Sequence, residues 1–159
     1  MSGILIESVA GKVPQRAIRY LSQLPFAVSY HLSEDVTTIP GVDFGAGNEA
    51  FILATPGALR AKPMSVDIYK VSETFTATTT PARVDIGDGS DVDGFALTGS
   101  IGTLATTAAL NFSANDGTLV EGALGIIEPG DQVTVTCIAP TGGTPAGRAM
   151  VTATFLYFE

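Results

Sequence analysis

The chain has 159 residues, with 8 basic against 16 acidic side chains, a net charge of −8 and only 15% charged residues, where soluble domains average about 25%. That length suits one domain able to bury a core without a staple, and a single cysteine excludes an intrachain disulfide and any multi-cysteine zinc or iron–sulfur site. The excess of acid argues against nucleic-acid binding, which rests on clustered lysine and arginine.

The first ten residues carry no basic stretch, and Glu7 interrupts Ile4-Leu5-Ile6 at once. They do not read as a signal peptide, so the protein is expected to be made in the cytoplasm with Cys137 reduced. Gly3–Val9 is a short strand candidate. Residues 8–33 contain no acidic side chain, yet hold Lys12, Arg16 and Arg19. The rest of the chain is left with 16 acidic and 5 basic residues, a net charge of −11. Val13, Ala17, Leu21 and Leu24 recur at helical spacing, with Pro14 placed for a first turn and Pro25 for a stop. Ala17 to Leu21 also alternates loosely, which leaves a strand open. Two roles stand side by side for this segment. It packs on its own domain with its charges solvated, or it forms a basic arm that docks on an acidic neighbouring subunit.

Beyond it, strand signals dominate. Phe26–Leu32 alternates with period two, placing Phe26, Val28, Tyr30 and Leu32 on one face and His31 on the other. Ala50–Ala54 is a shorter candidate. Met64–Val71 puts Met64, Val66 and Ile68 inward, with Ser65 and Asp67 outward. Glu73–Thr79, Arg83–Ile86, Phe95–Thr98 and Thr118–Gly122 follow. Gly94–Asn115 is uncharged but rich in threonine, serine and glycine, too polar to span a bilayer; it reads as a strand pair with a flexible turn. Gln132–Ile138 places Val133, Val135 and Cys137 on an apolar face, and Ala149–Phe158 makes a long final strand. Pro-Gly, Asp-Gly and Gly-Gly turns separate these runs. The pattern predicts an all-β fold: an antiparallel β-sandwich, jelly-roll-like, with an N-terminal arm or short helix. It is one domain overall, with residues 1–33 as arm and first strands and residues 34–159 as the sandwich body.

Chemistry-bearing clusters are few. Histidine catalysis would depend on His31, the one imidazole, with Cys137 or a serine as nucleophile. His31 falls on an outward strand face, and Cys137 on an inward one as an inert core thiol. No nucleophile elbow or P-loop is present. Asp85, Asp88, Asp91 and Asp93 lie within nine residues interleaved with glycine, and supply the hard oxygen ligands that Ca²⁺ takes. The spacing is not that of an EF-hand, and a solvated turn in which aspartates bond backbone amides is the favoured account. No other cofactor is suggested.

The run V-D-I-G-D-G-S-D-V-D-G-F-A, Val84 to Ala96, resembles small β-sandwich virion proteins of tailed bacteriophages, where an I-G-D-G strand end leads into a D-x-D-G-F turn. The closing pattern G-G-T-P-A-G-R-A-M-V-T-A-T-F, Gly142 to Phe155, is similar to their last element, a glycine-rich turn before a basic residue and a long strand. The resemblance covers Pro81 to Glu159, about half the chain. It implies a capsid decoration (cement) protein on the outer surface of a virion, non-enzymatic, with the major capsid protein and copies of itself as partners. A homotrimer is the favoured assembly. On this reading Lys12, Val13, Arg16, Ile18, Arg19, Leu21 and Leu24 are the candidate capsid or subunit contacts, and neither nucleic acid nor membrane is a partner. A receptor- or carbohydrate-binding module of a fibre or tail, and a neck or tail structural component, are the alternatives.

Overall fold

Alternation of apolar and polar side chains is satisfied by pairing strands into sheets with one buried face each. The computed structural model describes residues 25–32, 41–53, 57–76 and 79–159. These form ten strands: β1 (Phe26–Leu32), β2 (Val42–Asp43), β3 (Glu49–Leu53), β4 (Arg60–Glu73), β5 (Arg83–Gly87), β6 (Ala96–Thr98), β7 (Leu110–Ser113), β8 (Leu119–Glu121), β9 (Val133–Ile138) and β10 (Arg148–Phe158). One sheet runs β1-β10-β4-β7, with β2 on β10 beside β1; the other runs β3-β9-β5-β6-β8. Every strand pairing is antiparallel.

Setting aside the short strands β2 and β8, eight strands remain, and their pairing is nested. The first pairs with the last, the second with the seventh, the third with the sixth and the fourth with the fifth. A long hairpin rolled onto itself has this pattern, which is the double Greek key of a jelly roll. The protein is an all-β sandwich of that kind.

The core lies between the sheets. β10 contributes Ala149, Val151, Ala153, Phe155 and Tyr157, and β4 contributes Val66 and Ile68; Val84, Ile86, Val133, Val135 and Cys137 face them from the second sheet. Each large apolar side chain fully removed from water adds about 1.5–3 kcal/mol. β1 occupies the span expected for it, with Phe26, Val28, Tyr30 and Leu32 on the core-facing parity and Ser29 and His31 on the outer one. Residues 26–32 therefore belong to the sandwich. The proposed arm or helix, and the Gly3–Val9 strand, lie outside the described residues.

Three expectations change. β4 starts at Arg60, upstream of the predicted run, and its register on β10 shifts twice, between Thr154 and Phe155 and between Arg148 and Met150. Met64 sits at the first shift and is only half-buried instead of facing the core. Lys70, with φ of 47°, sits at the second. Thr74-Phe75-Thr76 is not a strand. Phe75 is instead an anchor, fully buried against the Phe44 ring at 5.0 Å, with its amide donating to the Leu104 carbonyl at 2.9 Å. Finally, Gly94–Asn115 does not form a local strand pair. β6 and β7 fall in opposite sheets, and the crossing segment is fixed by buried Ile101 and Leu104.

Candidate functional site

Three places on the described surface carry clustered chemistry. The first is the outer face of the β1-β10-β4-β7 sheet. Register places His31 opposite Thr152, Thr152 opposite Asp67 and Asp67 opposite Asn111, so one row crosses all four strands. His31 Nδ1 lies 2.8 Å from Thr152 Oγ1 and 3.2 Å from the Tyr69 hydroxyl. Asn111 Nδ2 donates to Asp67 Oδ1 at 2.6 Å, and Ser65 Oγ donates to Asp67 Oδ2 at 3.5 Å. In the next row Ser29 Oγ and Thr154 Oγ1 are 2.9 Å apart. A shallow hollow of about 500 Å³ opens here, lined by His31, Asp67, Tyr69, Leu110, Asn111 and Thr152 among others. Apolar atoms of Leu110 and the Tyr69 ring sit among hydroxyl, carboxylate, amide and imidazole groups. That mixture suits a polar ligand with an apolar face.

Among the described residues, no cysteine or serine side chain is a hydrogen-bond partner of His31. Cys137 is fully buried on the inner face of the other sheet. Among the described residues both hydrogen bonds of the imidazole run through Nδ1 to hydroxyl groups, with donor and acceptor set by the tautomer.

The second place is the turn after β5, where the four aspartates do not converge. Asp85 lies on the outer parity of β5, yet it is completely buried. Arg83 Nε donates to its Oδ1 at 2.9 Å, and Arg83 Nη2 to its Oδ2 at 3.0 Å, a two-pronged pair. Burial pushes the Asp85 carboxyl above its ordinary value, and Arg83 offsets this only in part. On the same outer parity two residues on, the chain folds back: a Cβ on Gly87 would stand 1.8 Å from the Asp91 carbonyl oxygen. Only glycine admits so close a backbone approach.

Asp88 Oδ1 accepts the amides of Ser90 and Asp91, each at 2.8 Å, which holds its carboxyl below the usual range. Asp91 is raised, first by sharing a hydrogen bond with Asp93. The turn is closed by the amides of Phe95 on the Ile86 carbonyl and Leu124 on the Gly94 carbonyl, at 2.9 and 2.7 Å. Among the described residues no three His, Cys, Asp or Glu side chains are placed to hold one metal ion.

The third place is a hollow of about 620 Å³ beyond β8, lined by Leu124 and Ile126 with Asp88, Glu121, Glu128 and Asp131 around them. Leu124 and Ile126 are 48% and 37% exposed. Its position follows from register: Ile127 bridges Ala61, Ala61 pairs with Tyr157, and Tyr157 pairs with Phe26. The acidic hollow therefore sits at the end of the molecule where β1 begins.

The cations of the body are mostly engaged internally. Lys62 pairs with Glu121 at 3.1 Å, Arg83 with Asp85, and Arg148 with Asp43. Arg60 donates to the Glu159 carbonyl and stacks on the Phe158 ring, 5.2 Å from its centroid. Lys12, Val13, Arg16, Ile18, Arg19, Leu21 and Leu24 all lie outside the described residues. Thr152, Asn111 and the acidic hollow were not singled out in the sequence. For the first two the available signal was outward parity on strands; for the hollow there was none, since its residues come from separate turns. Comparisons with protein-family models, with curated proteins and with solved structures find no match.

Proposed function

We propose that this protein is a non-enzymatic virion structural protein of the tailed-phage decoration type. It binds the outer surface of a capsid through the segment ahead of β1 and stabilises the shell by repetition over many copies. The observation that carries this reading is the partition of charge. Outside residues 8–33 the chain holds 16 acidic and 5 basic residues, and four of those five bases, all but Lys70, are engaged within the body. The segment with Lys12, Arg16 and Arg19 is then the cationic part presented to an acidic partner. Multiplied over a lattice of sites, modest contacts per copy become strong.

The two motifs of the resemblance lie at a strand end and at a turn before the last strand, which supports the reading. Ile86-Gly87 ends β5 and turns through Asp91–Gly94 to Phe95, and the glycine-rich turn precedes Arg148 and β10. Jelly rolls serve as viral capsid domains and also as lectins, so the fold alone does not choose between these. Partner identity, virion location and a trimeric state are parts of the same proposal.

Sedimentation with undecorated shells of the same virus tests it. The expected result is saturable co-sedimentation that weakens as salt rises. Absence of binding at every salt concentration would overturn the proposal.

A second reading, a receptor- or carbohydrate-binding module, is favoured by one observation, the hollow around His31, Tyr69, Asp67 and Asn111. A glycan array probed with the wild type and with Asp67→Asn would separate the two. Specific binding lost in the variant supports this second reading, and a blank array removes it.

A further inference from the structure

We infer that the open face of the β1-β10-β4-β7 sheet binds a neutral saccharide, gripping two adjacent ring hydroxyls with Asp67 and Asn111. The inference rests on the carbohydrate-binding reading and names the class of sugar; attachment to a shell is a separate matter.

The first ground is the shape of the face. β7 pairs with β4 from Ser65 to Ile68, and beyond Ile68 β4 leaves that ladder. At this step, between Tyr69 and Leu110, the hollow of about 500 Å³ opens. Small-molecule sites fall in the range of about 300–1,000 Å³. The Tyr69 ring and Leu110 offer apolar area for the C–H face of a sugar ring. His31, joined to the Tyr69 and Thr152 hydroxyls, borders the hollow on the β1 side.

The second ground is a donor and an acceptor fixed side by side. Asp67 and Asn111 are direct cross-strand neighbours on the outer parity, with Asn111 Nδ2 donating to Asp67 Oδ1 at 2.6 Å. An ionised carboxylate only accepts, so Asn111 must turn its NH₂ group toward Asp67. One N–H and the carbonyl oxygen of exposed Asn111 remain for a further partner, beside the remaining lone pairs of Asp67. Two neighbouring hydroxyls of a pyranose match this pair. One donates to the carboxylate in a charge-assisted bond, and the next accepts from the amide. Because Asp67 and Asn111 already hold each other, binding has less side-chain order to impose.

Charge is the third ground, and it selects among sugars. Asp67 is the one carboxylate lining the hollow, and neither lysine nor arginine lines it. A uronic or sialic acid would bring a second carboxylate against Asp67 without a fixed cation to receive it, and such like-charge contacts are costly. A neutral saccharide brings only hydroxyls.

Backbone amide shifts of the full chain test this, titrated with methyl glycosides of glucose, galactose and mannose, and separately with glucuronate and N-acetylneuraminate. At least one neutral glycoside is expected to move the amides of Asp67, Tyr69 and Asn111 saturably, with the acids about 10-fold weaker. Asp67→Asn and Asn111→Ala should each weaken the neutral ligand about 10-fold while the melting temperature stays put. An acid that binds more tightly at these amides would overturn the choice of a neutral sugar and leave the carbohydrate-binding reading standing. Saturable shifts elsewhere, unmoved by either substitution, would overturn the site. Absence of shifts with all of these sugars would overturn the inference, and the carbohydrate-binding reading falls with it only if the glycan array is also blank.

Discussion

The outer faces of the two sheets begin from the same rule and end differently. On the β1-β10-β4-β7 sheet the outward residues His31, Thr152, Tyr69, Asp67 and Asn111 satisfy one another across strands; Thr152 is buried beneath them, Tyr69 and Asp67 are half-buried, and His31 and Asn111 stay open to solvent. On the other sheet the outward residue Asp85 is fully buried and pairs with Arg83, and the Asp88–Gly94 turn folds back over the same face at Gly87. Period-two alternation put polar groups outward in both. What differs is a loop folding back over one of them. A covered polar face becomes a structural element held by an ion pair, while an uncovered one remains available to a ligand.

This contrast can be broken at its strongest point first. Arg83→Met leaves a buried carboxylate without its cation, and is expected to cost up to about 3 kcal/mol at pH 7, the low end for such pairs because Arg83 is itself 40% exposed. The cost should shrink on acidification. Folded Asp85 already holds its proton more readily than in the unfolded chain, so its contribution to stability falls as pH rises through its raised pKa. Removing Arg83 steepens that fall. Asp85→Asn should cost only about 1 kcal/mol, because the guanidinium can reach water, and should flatten the pH dependence. Denaturant melts between pH 4 and 8 check both.

Gly87→Ala is expected to lift the turn, since the new methyl meets backbone rather than a flexible side chain. A cost of about 1–3 kcal/mol and faster amide exchange at Ser90 and Asp91 would report it. Asp88→Ala is a smaller perturbation with the opposite pH sign. Its lowered pKa means that its stabilisation is present above the ordinary carboxylate range and lost as pH falls through the folded value. At the small end, His31→Ala and Asp67→Asn on the open face should change stability by no more than about 0.5 kcal/mol, whatever they do to ligands.

Much of this architecture could be read before the structure. The alternating runs of β1, β9 and β10 are long enough that each inward set is unambiguous, and they supply a large part of the core. The first part of β4 was obscured by Pro63, which a central strand tolerates beside a break in its ladder, here next to the bulge at Met64. β7 was hidden in a threonine-, serine- and alanine-rich stretch with little hydrophobic contrast. Phe75 was misread because β-propensity does not distinguish a strand residue from a single buried anchor in a loop.

The candidate sites were less legible. His31 meets Tyr69 and Thr152 across 38 and 121 residues of sequence, a convergence set by the roll of the sandwich. The aspartate cluster was plain to see, but its partition into the Asp85 ion pair and the Asp88 amide acceptor depends on the parity of Asp85 and on the backbone contact at Gly87.

The most direct test of the account is shell co-sedimentation of three proteins in parallel: wild type, the Lys12→Glu, Arg16→Glu, Arg19→Glu variant, and the His31→Ala, Asp67→Asn variant. Reversing the basic segment is expected to abolish binding, while the open-face variant binds as the wild type does. Binding that survives the reversal and is lost with the open-face variant would contradict it, and would move the attachment surface to the β1-β10-β4-β7 sheet.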